Sequence, residues 1–165
     1  MKIDSLHALY LTELRDLYHA EKQIVKALPK MIEHTNSTDL RTALSNHLEE
    51  TRGHVARLER VFGLHGEQPK AETCEGMEGI IDEGEDIVSH DENPNVRDAG
   101  IIAGAQKVEH YEIASYGSVR TWAEQMGHQE AATILQQTLN EEKRADEKLT
   151  QIAASLNLEA VRSAR

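Results

Sequence analysis

Four long stretches of this chain repeat apolar residues every three or four positions, and each is broken by acids near its midpoint. A three-to-four repeat puts those residues on one face of an α-helix. The first stretch, about residues 4–33, carries Leu11, Leu14, Leu17, Ile24 and Leu28, with Glu21 as the intrusion. Pro29 removes one backbone bond near its end and predicts a bend there. The second, 38–62, carries Leu40, Leu44, Leu48, Val55, Leu58 and Phe62. Ser37 or Thr38 is its expected N-cap and Gly63 its C-terminal cap. After a linker over 64–72, a shorter segment, 73–90, puts Met77, Ile80, Ile81, Ile87 and Val88 on one face. Thr73 is its expected cap, and the run SHDENPN ends it. Pro94 opens the next helix, 94–126, whose stripe is Ala99, Ile102, Ala103, Gln106, Ile113, Tyr116 and Val119, and Gly127 closes it. The last, 128–157, turns Ile134, Leu135, Leu139, Leu149, Ile152 and Leu156 inward. The terminal EAVRSAR reads as a frayed tail.

Helices of about 25–30 residues are roughly 40 Å long at 1.5 Å per residue. The first and last turns are too short to join anything but antiparallel neighbours, whereas the middle connection is long enough to cross the bundle. The expectation is an all-α, ferritin-like four-helix bundle with one long crossover that contains an additional helix, a single domain over 1–165. Only six aromatic residues argue against a sheet.

With 18 basic against 29 acidic residues the net charge is −11, which speaks against nucleic acid and anionic membranes as partners. The single cysteine, Cys74, excludes an internal disulfide framework and a thiolate zinc site. The opening MKIDSLHALYLTELRDLYHAEKQ scatters charge through its apolar residues, so it reads as neither signal peptide nor membrane span, and a reducing cytoplasm is the expected location.

The mid-helix polar residues converge. Glu21 breaks the first helix; His47, Glu50 and His54 the second; Glu109 and Glu112 the fourth; Glu142 and Asp146 the last. Antiparallel helices of similar length bring their midpoints to one level. Spacings of three or four within each pair project both members from one face. Buried carboxylates are costly unless paired or bound to metal. The nearby bases Lys22, Arg52, Lys107 and Lys143 fall where they point outward. Two divalent metal ions would satisfy such a layer, and oxygen-rich ligands with one or two nitrogens suit iron or manganese. His54 stands below His47 as a ligand because it could sit on the rim beside Gly53, and Glu141 competes with Glu142 for the inward position. Gln106, Tyr18, Tyr111 and Thr51 are candidates for orienting the ligands, Tyr18 by a hydrogen bond to a ligand carboxylate from one turn before Glu21. Cys74 and Met77 are assigned no role, and Trp122 and Met126 are expected to pack at one end of the bundle.

The segments LYHAEKQIVKALPK, HLEETRGHVARLE, CEGMEGIIDE, QKVEHYEIASYG and LNEEKRADEKLT resemble the YciE/YciF family, domain of unknown function 892, in order along nearly the whole chain. The resemblance implies a ferritin-like fold, a link to bacterial stress responses, a dimetal centre and a homodimer. It places Glu21, His47, Glu50, Glu109, Glu112, Glu142 and Asp146 on family motif positions and leaves His54 outside them. The ferritin-type Glu-x-x-His pair is absent from the second and last long helices; His47-x-x-Glu50 and Glu142/Asp146 stand in its place. The leading functional expectation is a dimetal-carboxylate protein in which Glu21 and Glu109 or Glu112 bridge the ions, handling a small oxidant such as oxygen or peroxide. The alternative is a metal-free helical dimeric adaptor that uses the apolar face of the crossover helix.

Overall fold

The computed structural model describes residues 3–89 and 93–163; the expected end of the crossover helix at residue 90 and the Asp91–Glu92 part of SHDENPN lie outside them. Among the described residues there are five helices and no strand: α1 (Leu6–His34), α2 (Thr38–Leu64), α3 (Glu75–Ser89), α4 (Pro94–Gln125) and α5 (Gln129–Ser163). No helix among them is long and apolar enough to cross a membrane.

The caps follow local chemistry. Ser37, rather than Thr38, caps α2, its hydroxyl accepting from the Leu40 N–H. Two expected caps shift by a residue or more. Gly63 lies inside α2, and the left-handed residue that reverses the chain is Gly66, with φ 68°. Cys74, rather than Thr73, precedes the first turn of α3; its carbonyl accepts from Glu78 N–H at 3.1 Å and its thiol from Met77 N–H at 3.4 Å. Gly127 does end α4, with φ 80°. Of the tail expected to fray, 159–163 instead continues α5 to Ser163, with Ala160 buried against the bundle, and its last two residues lie outside the described ones.

Helix neighbours form a closed ring, α1–α2–α5–α4 and back to α1, with α3 laid over α1 and α4. Chain direction follows from two ties. Asp98 in the first turns of α4 accepts the N–H groups of Asn36 and Ser37, so α4 begins where α1 ends. His65 at the end of α2 bonds Tyr10 and meets the His128 ring edge to face, so that end meets the α4–α5 turn. The crossover therefore returns the chain along the bundle, which is the ferritin-like topology.

The apolar interior is in two parts. One cluster is built on Leu14, Leu17, Leu58, Phe62, Tyr116 and Leu135, the other on Ile24, Leu40, Leu44, Met77, Ile101 and Leu149. Trp122 and Met126 pack on the first. On α3, Met77 and Val88 are buried and Ile80 and Ile81 pack on the second cluster. The face that an adaptor would present is thus spent inside the bundle. Glycine permits this close packing of α3: a Cβ on Gly100 would stand 2.5 Å from Ile87 Cγ2, and one on Gly76 would stand 2.9 Å from the Tyr111 ring.

Candidate metal centre

Between the two apolar clusters lies a slab of buried polar side chains contributed by all four long helices. Glu21, His54, Glu112 and Glu142 are completely buried and Glu109 and His47 nearly so. Lys22, Arg52, Lys107 and Lys143 point outward as the helical phase requires. Six of the expected ligands come together in two groups. His47, Glu109, Glu112 and Glu142 offer atoms within 4.8 Å of one another, and so do Glu21, His54 and Glu142. Glu142 belongs to both, which settles its competition with Glu141.

Individual contacts set the geometry. His47 Nε2 is 3.3 Å from Glu109 Oε1. His54 Nδ1 faces Glu142 Oε1 at 2.8 Å and Glu21 Oε1 at 3.3 Å, and its Nε2 lies 2.9 Å from Glu141 Oε2. Arg57 grips both oxygens of Glu141, at 2.5 and 2.8 Å, and reaches Thr138 at 3.2 Å. Such a partner on the far nitrogen fixes the tautomer and ring plane of a metal-binding histidine. Tyr116 donates its hydroxyl to Glu21.

Two expected ligands stay outside. Glu50 is 42 % exposed, with Oε2 4.0 Å from His47 Nδ1, so it faces the outer nitrogen of that ring. Asp146 is held at the flank by Gln106 at 3.0 Å and His110 at 3.2 Å. Helical phase explains both. Glu50 is about 60° around the helix from His47, whereas His54, seven residues on, is only about 20° away; Asp146 lies a full turn beyond Glu142. That same phase corrects the rim position expected of His54, which is central. The expected ligand-orienting roles also move. Tyr18 donates to Glu59 at 2.8 Å and Tyr111 to Asp16 at 2.8 Å, while Thr51 bonds the His47 carbonyl of its own helix. The side chains that do bond the slab from outside are Tyr116, read from sequence as apolar stripe, on Glu21, and Glu141, held by Arg57, on His54. Tyr116 follows Glu112 by one turn, a spacing that could have revealed it.

Electrostatics record the crowding. Burial first, and then the Glu142 charge, raise Glu109 and Glu112 well above the ordinary carboxylate range. Burial raises Glu21 as well, against the pull of His54. Burial alone depresses both imidazoles; it prevails at His47, but at His54 the carboxylates Glu142 and Glu21 outweigh it and push the ring up to about 11. Burial would raise Glu142 too, yet His54 more than offsets it and holds it below the usual range.

The fit to a metal pair rests on what lacks a partner. Glu21 Oε2, His47 Nδ1, Glu109 Oε2, both oxygens of Glu112 and Glu142 Oε2 are buried without a hydrogen bond, and the single nitrogen His54 Nδ1 has to serve both Glu142 and Glu21. Buried polar atoms are ordinarily satisfied. A donor set of four carboxylates and two imidazoles, all aimed inward, has the composition that iron or manganese takes.

Two openings reach His47 and Glu109. A cleft of ≈430 Å³ between α2 and α5 is edged by Asp39, Glu50, Arg144 and Lys148. On the other side an apolar cavity of ≈30 Å³, lined by Ile24, Leu28, Leu44 and Val108 among others, has room for about two water-sized molecules.

Comparison with known proteins agrees with this architecture. Residues 5–162 match the family described as domain of unknown function 892. Protein YciF of Escherichia coli (strain K12) is 44 % identical over 93 % of each chain. The crystal structure of the E. coli stress protein YciF superposes with a TM-score of 0.90 at 42 % identity, covering 93 % of this chain and 98 % of that one. YcfI of Rhodopseudomonas palustris gives 0.88 at 45 % identity, over 90 % and 95 %. A Xanthomonas campestris protein at 21 % identity shares the fold, with a TM-score of 0.76 over 96 % and 97 %. On these grounds the chain belongs to the YciE/YciF family, domain of unknown function 892.

Proposed function

We propose that this chain is a dimetal-carboxylate protein that handles a small oxidant, in the stress setting that the name of its E. coli relative indicates. The observation that carries the reading is the convergence of four buried carboxylates and two imidazoles, with more carboxylate oxygens than the protein's own donors satisfy. His47, Glu109 and Glu112 would hold one ion, Glu21 and His54 the other, with Glu142 between them. Bound iron or manganese would supply electrons for reduction of oxygen or peroxide.

The protein's own part is positioning and exclusion. Tyr116 fixes the Glu21 carboxylate, and the Arg57–Glu141 pair keeps the outer nitrogen of His54 occupied so that Nδ1 faces inward. The cleft beside Glu50 supplies a polar way in for hydrated ions. The apolar cavity beyond has room for a molecule of two heavy atoms, such as oxygen or peroxide, beside His47 and Glu109, which favours handling of a small oxidant.

Anaerobic addition of ferrous iron or manganous ion to chelator-treated protein tests the reading. Uptake of two ions per chain is expected, followed by peroxide consumption in the iron-loaded protein. Glu21→Ala and Glu109→Ala should each remove uptake. No uptake by the parent protein, together with unchanged stability of both variants, would refute the proposal.

A further inference from the structure

A second group of ligating side chains lies at the end of the bundle where α1 begins. His7 comes from the first turn of α1, His65 caps α2, and His128 sits in the α4–α5 turn. Three distant chain segments thus bring imidazoles to one spot. Ring centres are 6.1 Å apart for His7–His65, 6.0 Å for His7–His128 and 4.6 Å for His65–His128. The point equidistant from these three centres lies about 3.3 Å from each. A zinc–nitrogen bond of about 2.1 Å, plus about 1.1 Å from nitrogen to ring centre, needs about 3.2 Å. Three imidazoles on corners of a tetrahedron of that radius have centres about 5.2 Å apart, so the observed 4.6–6.1 Å is near the required spacing, and side-chain shifts of about 1 Å or less complete it. Their nitrogens do not yet converge, so binding turns the His7 and His128 rings about their Cβ–Cγ bonds while His65 stays on Tyr10.

Tyr10 adds an independent observation. It is completely buried, and its hydroxyl lies 3.0 Å from His65 Nε2. Burial raises its phenol well above the ordinary value, so it stays neutral. With Nε2–H donating to this oxygen, His65 Nδ1 keeps its lone pair for an ion, the arrangement that outer partners impose on metal-binding histidines. His7 is exposed and His65 and His128 are half-buried, leaving one side of the common point open to water.

We propose that His7, His65 and His128 form a zinc-type site: three imidazoles and an open fourth position that take one late divalent transition ion. The bound ion would clamp the start of α1 to the end of α2 and to the α4–α5 turn. It does not depend on the carboxylate slab being a metal centre, since none of its ligands belongs to that slab.

Calorimetric titration of chelator-treated protein with Zn²⁺, paired with the electron paramagnetic resonance of one Cu²⁺ equivalent, tests the site. A copper spectrum with hyperfine structure from three imidazole nitrogens is expected. The His7→Ala/His128→Ala double variant, which alters no fully buried residue, should keep its helical circular dichroism. It should lose one zinc equivalent and that equivalent's rise in melting temperature. Tyr10→Phe should weaken zinc about 10- to 100-fold, as loss of an outer partner does. Zinc stoichiometry and affinity unchanged in the double variant, or an oxygen-dominated copper spectrum, would overturn the proposal.

Discussion

Glu112→Met offers a test whose sign depends on what fills the carboxylate slab. Glu112 is completely buried, neither of its oxygens has a partner, and Glu142, Glu21 and Glu109 all press against its ionisation. Methionine matches its length without branching and carries no charge. In chelator, the substitution relieves an unsatisfied buried polar group, which costs about 1–3 kcal/mol. At about 2–4 °C per kcal/mol for a chain of this size, the melting temperature should rise by about 2–12 °C. With Mn²⁺ at 1,000 times its dissociation constant the parent protein gains about 4.1 kcal/mol, and the variant, short of one ligand, should gain little. The order of stability therefore inverts between chelator and metal. Differential scanning calorimetry of both proteins under both conditions gives the four values needed. A variant less stable than the parent in chelator, by the margin of an ordinary core truncation, would refute the view that this carboxylate is costly without an ion.

The same slab predicts an unusual pH response for the chelated protein. Glu21, Glu109 and Glu112 hold protons in the folded chain that the unfolded chain releases near 4.5, so their contribution is full below that pH and is lost as pH rises. His54 acts with the same sign, its contribution full below 6.5 and lost as pH rises through about 11. Above about pH 7, where the depressed His47 no longer contributes with the opposite sign, urea midpoints in chelator should fall toward pH 9; with metal, which needs deprotonated carboxylates, that fall should disappear. Asp98→Ala strands the N–H groups of Asn36 and Ser37 and should cost about 2–4 kcal/mol in urea unfolding, more than Asp98→Asn. Gly100→Ala should destabilise, because a steric cost of about 1–3 kcal/mol against Ile87 exceeds a helix-propensity gain of about 1 kcal/mol. Adding Ile87→Ala should recover the steric part, which a double-mutant cycle would detect.

The helices were legible because their stripes are long and regular, and the slab because acids interrupt every stripe at one level. What escaped the sequence depended on rotation about the helix axis and on reach. His54 and Glu50 both flank the second stripe, and only a phase difference of about 40° sends one inward and leaves the other at the rim. Arg57 carries its charge far enough along its side chain to serve Glu141 from a flanking position, so its Cα placement says little about its partner. Tyr116 belongs to the apolar stripe and to the polar slab at once, its ring in the core and its hydroxyl on Glu21. Gly66 displaced Gly63 because α2 runs two residues past the last stripe position, Phe62.

The slab also divides the interior mechanically. Leu14 and Leu44 belong to separate oily compartments with polar groups between them, and among the described residues the buried apolar side chains of the two do not join into one cluster. Truncations in opposite compartments, such as Leu14→Ala with Leu44→Ala, should therefore sum to within about 0.5 kcal/mol, whereas two truncations within one compartment should not. In this bundle, crevices opened on one side are not felt on the other, and each half is free to be repacked by mutation on its own terms.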